Sequence, residues 1–308
     1  MTTDVIAHEP TRARKFTRRP ATQRPTSWWL GKLRQRAESM YAEALDLREP
    51  LEFASEAERD AAIRFFNAAY RAEESGLRQA HELAAEMEAL DPELAEALRL
   101  YGNEEGWHRE LLTEFLSYLG GEVRPMGTIT GTFYKVYARA ERMESIMLAN
   151  LMFETIGSTT YRLTLRTAEH PAVRQMLTIL TRDESFHVPL NVHFLREALK
   201  RSPPSMRPRL NVVYHLLFVA LLASAAASRR RAERFDRIPW KELSAAYAEH
   251  LARLFLHEKD LRFTPPAALL RLFGLDREAL AASEDLSAVS VRAAEAAVDR
   301  ERVTVKAL

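Results

Sequence analysis

The chain predicts an all-α fold: a four-helix bundle with extra N- and C-terminal helices. Three observations carry the prediction. Ala, Leu, Glu and Arg are plentiful while Gly is sparse, 10 in 308 residues, a composition that favours helix. Helix-starting and helix-stopping residues divide residues 55–205 into four long segments. Along those segments apolar residues recur at offsets of three, four and seven, the spacing of one buried helix face.

The elements follow in order. Residues 1–27 are polar, hold three prolines, and carry six basic residues from Arg12 to Arg24 against Asp4 and Glu9. Low hydrophobicity with local charge reads as a basic, disordered arm. Trp28 and Trp29 open an amphipathic segment expected to run helically to about Leu47. A first long helix is expected from Ser55 to Leu90. Asp91-Pro92 caps and opens the second, which stops at Gly120-Gly121. Glu122 to Thr130 reads as a looser connection to a third helix, from about Thr132 to His170. Pro171 opens a fourth, which ends before Pro203-Pro204. Residues 28–205 therefore read as the bundle and residues 206–308 as a helical extension packed on it. In that extension Leu210–Ser228 is uncharged over 19 residues. That length just spans a membrane, but Asn211, Tyr214, His215 and its serines favour a buried fifth helix. A further amphipathic helix covers about Trp240 to His257.

Composition removes several chemistries. No cysteine is present, which excludes disulfides, iron–sulfur clusters and thiolate zinc sites. Any metal is held by oxygen and nitrogen. A formal net charge of +1 carries no global message toward nucleic acid, and no apolar run opens the chain as a secretory signal would. The expected location is cytoplasmic.

Two copies of one pattern carry the chemistry: Glu104-Glu105-Gly106-Trp107-His108 and Asp183-Glu184-Ser185-Phe186-His187. Each is an acidic residue followed by Glu-x-x-His, and residues three apart share a helix face. Each copy thus projects a carboxylate and an imidazole together. Two such pairs on facing helices, with a Glu from each of two other helices, form a cage for two metal ions. On the first helix Glu73 lies on a stripe with Phe66, Ala69, Tyr70, Gly76, Leu77, Ala80 and Met87. Glu74 sits about 100° around the helix, beside Asn67, Arg71, Arg78 and His81. The pattern therefore prefers Glu73 while leaving Glu74 as the alternative. On the third helix Glu154 shares its face with Met147, Leu151, Gly157, Ser158 and Tyr161. Glu73 and Glu154 each begin a Glu-x-x-Gly and lie 81 apart, against 79 for Glu105 and Glu184. Four carboxylates on apolar faces cost several kcal/mol each unless cations neutralise them. Glu104 and Asp183 are placed to accept hydrogen bonds from the histidine of the opposite helix, which would fix its tautomer.

On these residues the chain resembles the ferritin-like diiron-carboxylate superfamily over about residues 55–200. The resemblance implies that Glu73, Glu105 and His108 serve one iron and Glu154, Glu184 and His187 the other, with Glu105 and Glu184 bridging. It implies two Fe ions, or manganese in one or both positions, with O2 as co-substrate. Radical-forming reductase subunits of the superfamily carry a tyrosine where Leu112 stands, and its arylamine N-oxygenases carry a third histidine where Leu180 stands. Its monooxygenases and desaturases have a hydroxyl residue about one turn after the third-helix glutamate. Ser158 and Thr159 fit that place, either to relay protons or to allow close helix packing.

The activity implied is that of an oxygenase or oxidase acting on a small or carrier-bound organic substrate, with an external electron donor. The rival is a ferroxidase, peroxide scavenger or metal store. Phe66, Tyr70, Leu77, Tyr101, Met147, Phe153 and Tyr161 either line an apolar substrate pocket or form plain core. Pro189, two residues after His187, is expected to kink its helix. His81, His193, His215, His250 and His257 read as hydrogen-bonded core residues. The C-terminal helices would cap the bundle, gate the pocket or make a homodimer interface.

Overall fold

The computed structural model describes residues 23–40, 43–125 and 142–283, without the side chains of 224–231. The expectations for most of the basic arm, for the connection beyond 125, for the start of the third helix and for the last C-terminal pieces lie outside the described residues. Every regular element among the described residues is a helix.

The first helix, α1 (Thr26–Ala37), is shorter than its sequence suggests. The expected run to Leu47 is corrected, because residues 43–54 form no helix. Leu45, Leu47, Leu51 and Phe53 turn inward while their neighbours stay exposed. That period of two belongs to an extended chain rather than to a helix. The Gln175 side chain holds this strap by both ends of its amide. Its Nε2 donates to Ala44 O at 3.0 Å, and its Oε1 accepts from Asp46 N at 2.8 Å.

Helix α2 (Glu56–Met87) begins at Ser55, whose Oγ accepts from Glu58 N at 3.2 Å. Glu58 reaches back to accept from Ala54 N at 2.8 Å, just ahead of the cap, while Ser55 meets one of the free donors of the first turn. Asp91 caps α3 (Pro92–Tyr118) through Leu94 N at 3.1 Å. Gly120, at φ 69°, then ends the helix, and Gly121 N donates to Leu116 O at 2.9 Å. Helix α4 (Met143–Thr167) and α5 (Pro171–Arg201) form a second hairpin, and α5 continues through Pro189.

Helices α2 and α3 pack along each other, as do α4 and α5, and the two hairpins face one another. Outer helices cover the bundle. On one side α1 lies on α3, and its Trp29 sits at 0% exposure against Phe186 and His193 of α5. On another, α6 (Met206–Asp236) packs across α2 and α4. Helix α7 (Trp240–His257) lies on α4 and α6. Short helices α8 (Ala267–Leu272) and α9 (Arg277–Ala282) finish the described chain. The expectation of a buried fifth helix is corrected too. One face of α6 buries Leu210, Tyr214 and Phe218, while Val212, Leu216 and Val219 on the other are exposed. Among the described residues no helix is long and apolar enough to cross a membrane.

The apolar interior is divided. One cluster joins α1, the second half of α2, the first half of α3 and the outer helices, around Trp29, Leu98, Met147 and Phe194. The other joins the opposite ends of the bundle helices, around Phe66, Phe115, Met176 and Leu180. Between them runs a polar layer. Trp29 anchors α1 to the bundle, so Trp29→Ala is expected to cost about 3–5 kcal/mol by urea denaturation. A loss below about 1 kcal/mol, the scale of a surface change, would show that α1 contributes little to the fold.

Candidate metal centre

The polar layer is built from α2–α5, each delivering acidic side chains at the same level. Glu73, Glu105, His108, Glu184 and His187 are all buried, at 3% exposure or less, and the Glu154 side chain is 10% exposed. Three overlapping groups have ligand atoms mutually within 4.8 Å: Glu105, His108 and His187; Glu73, His108 and Glu184; Glu154, Glu184 and His187. These buried groups could hold a metal ion. Glu73 turns inward, whereas Glu74 pairs with Arg71 at 2.6 Å and is 38% exposed.

Both histidines are oriented alike. His108 Nδ1 faces Glu73 Oε2 at 3.3 Å, and His187 Nδ1 faces Glu105 Oε1 at 3.1 Å and Glu184 Oε2 at 3.5 Å. Their other nitrogens point away from the cluster. His108 Nε2 meets Asp183 Oδ2 at 3.1 Å, and His187 Nε2 meets Glu104 Oε2 at 3.0 Å. Each acid preceding a motif glutamate thus serves the histidine of the opposite helix. An Nε2–H donated outward leaves Nδ1 free to bind a cation in the metal-loaded protein.

Burial and crowding decide the ionisation of the metal-free cluster. Glu105 and Glu184 are raised well above the usual carboxylate range, first by burial and then by the charges of Glu154 and Glu73. Burial opposes a charge on His108, but hydrogen bonds to Asp183 and Glu73 raise it to about 10. His187 is raised as well, against its burial, chiefly by the charge of Glu105. Glu104 falls to about 2 against its burial, because the Arg36 guanidinium and His187 face it. Protons on Glu105, Glu184 and the two histidines therefore offset the crowded negative charge when cations do not.

Two further observations concern fit. Glu105 Oε1, Glu184 Oε2 and His187 Nδ1 are buried and face one another at 3.1 and 3.5 Å, with no other hydrogen-bond partner. Gly76 is also needed at its place. A Cβ there would lie 2.9 Å from Glu105 Oε2, whereas at Gly157 the nearest atom would be 3.6 Å away, in Tyr161. The donor set is oxygen and nitrogen throughout, which suits a hard or borderline divalent cation. No family model, curated protein or solved structure matches the chain.

The remaining sequence candidates lie at varying distance from the cluster. Ser158 is buried one turn beyond Glu154. Thr159 is turned toward α7. Its Oγ1 donates to Thr155 O at 2.7 Å and pairs with His250 Nδ1 at 2.6 Å. Of the residues read as lining, the Tyr101 hydroxyl donates to Glu154 Oε1 at 2.5 Å and that of Tyr161 to Glu73 Oε1 at 3.4 Å. Phe66 packs in the apolar core against Phe115 and Phe235. His193 is buried on Trp29 and meets Thr26 Oγ1 at 3.1 Å. His81 is corrected to an exposed residue, bound to Asn103.

Sequence reasoning missed Arg36 and Arg182. Arg182 Nη2 donates to Asp183 at 2.9 Å and to Glu43 at 2.8 Å. Its place directly before Asp183 was a signal available in the sequence. Arg36 lies 68 residues from Glu104 and 147 from Asp183, and no local pattern announces it.

The pH dependence follows from the raised groups. The stability that His108 contributes is fully present below its unfolded value of 6.5 and is lost as pH rises through about 10. Glu105 and Glu184 act in the same direction, from 4.5 upward. The lowered Glu104 contributes above 4.5 and loses its contribution only toward about pH 2. Chelator-treated protein is therefore expected to melt at progressively lower temperature between about pH 6.5 and pH 10, by calorimetry. A melting temperature that rises across this window would contradict the ionisation described.

Proposed function

We propose that the cluster holds two divalent metal ions and that the protein is a non-haem diiron oxygenase or oxidase. The observation that carries the reading is the paired orientation of His108 and His187. Both imidazoles turn Nδ1 into a nest of carboxylates and anchor Nε2 on an outer acid. Charge supports it as well. Six carboxylates occupy the layer: Glu73, Glu104, Glu105, Glu154, Asp183 and Glu184. The guanidiniums of Arg36 and Arg182 offset two of them. Arg182 is shared with Glu43 as well, so the layer keeps a net negative charge that divalent cations would neutralise.

In this reading Glu73, Glu105 and His108 would hold one ion and Glu154, Glu184 and His187 the other. Bound iron supplies the electrons and Lewis acidity for reducing dioxygen, and an organic molecule is the species oxidised. The chain's own residues arrange the rest. The two apolar clusters keep bulk water from the layer. The Tyr101 and Tyr161 hydroxyls fix the orientation of Glu154 and Glu73. Ser158 is buried one turn beyond Glu154, and Thr159 with His250 extends hydroxyl and imidazole groups toward α7. A small or carrier-bound organic substrate and an external electron donor complete the proposal.

Metal analysis of protein from iron-supplied cells is expected to give two ions per chain, lost in Glu105→Ala and His187→Ala. Gly76→Ala should fold yet bind metal at least about tenfold more weakly, the scale seen when a ligand's support is disturbed, since its methyl displaces Glu105. Metal-free wild-type protein, or variants that bind as tightly, would sink the assignment. Iron accumulating far beyond two ions per chain as a ferric core would identify a metal store instead.

A further inference from the structure

One guanidinium outside the four bundle helices touches both outer acids of the centre. Arg36 lies on the last turn of α1, with its side chain 14% exposed. Its Nε donates to Glu104 Oε1 at 2.9 Å and its Nη2 to Glu104 Oε2 at 2.7 Å. The same Nη2 donates to Asp183 Oδ1 at 3.0 Å. The ring of Phe186 lies beneath it, 4.5 Å from the guanidinium carbon to the ring centroid. Glu104 takes the Nε2 side of His187, and Asp183 that of His108. A single planar fork therefore joins two otherwise separate chains of contact, Glu104 to His187 and Asp183 to His108.

The geometry points to Arg36 as a positioning residue that couples the two histidines of the centre, making α1 part of the metal site. The inference rests on the diiron reading. A carboxylate that accepts an imidazole N–H makes the imidazole a stronger donor, and a guanidinium on that carboxylate draws the charge back. Because Arg36 contacts both acids, it sets the donor strength of both imidazoles at once. Arg182 provides the internal contrast, since its contacts are with Asp183 and Glu43, not Glu104. It is placed to act on His108 alone. Lysine at position 36 would keep the charge without the planar fork that reaches two carboxylates.

The test uses the full chain loaded with cobalt(II), whose paramagnetism shifts the exchangeable N–H protons of coordinated imidazoles in NMR spectra. Wild-type protein should show two such signals. Arg36→Met should move both, Arg182→Met only one, and Arg36→Lys should restore the two wild-type positions at most in part. Circular dichroism establishes that each variant is folded. If Arg36→Met fails to fold, the comparison of Arg36→Lys with Arg182→Met carries the test by the same count of displaced signals. Two wild-type signals that stay unmoved in folded Arg36 variants, or only one that moves, would overturn the coupling and leave the metal reading intact. Wild-type protein that takes up no cobalt(II) would remove the metal reading and the inference with it.

Discussion

Six carboxylates at one level of a helical bundle are the constraint on which the rest depends. An uncompensated buried charge costs several kcal/mol, and no fold of this size has that much to spare. Each acid must therefore be met by a counter-charge, a proton or a cation. The structure meets them in two rings. The outer acids, Glu104 and Asp183, are held ionised by guanidiniums and histidine N–H groups. Among the inner acids, Glu105 and Glu184 are pushed up by burial and by the charges of Glu154 and Glu73, and so hold protons, or cations that compete with protons, more readily.

That constraint explains features that otherwise look unrelated. The apolar core is split because the charged layer crosses the bundle at the level of Glu73 and Glu184. Glycine stands at position 76 because Glu105 needs the volume a methyl group would fill. The aromatic side chains beside the layer are tyrosines at 101 and 161, whose hydroxyls reach carboxylates. Helix α1 is held to the bundle by apolar packing at Trp29 and, one end further on, by the ion pairs of Arg36.

Much of this was legible along the chain, for physical reasons that differ by element. Ser55, Asp91 and Pro171 mark helix starts because capping is a local interaction within one turn. Glu73 could be preferred over Glu74 because one residue turns a side chain by about 100°, from an apolar stripe to Arg71. The pairing of Glu104 with His187 and of Asp183 with His108 followed from the repeated motif on facing helices. The run to Leu47 was misread, although Leu45 and Leu47, like Leu51 and Phe53 beyond them, show the spacing of two that decides against helix. The exposed face of α6 was misread because an uncharged run reveals hydrophobicity but not how many neighbours the fold supplies.

The sequence by itself determined the all-helical architecture and the residue types that meet in the layer, because both depend on spacings within single helices. Only the tertiary structure decided which nitrogen of each histidine faces inward, that Thr159 turns to His250, and that Arg36 spans both outer acids. Those outcomes depend on how helices distant in sequence are set against one another. A guanidinium 147 residues from its carboxylate leaves no periodic trace in the chain, so its partner is fixed only when the helices pack.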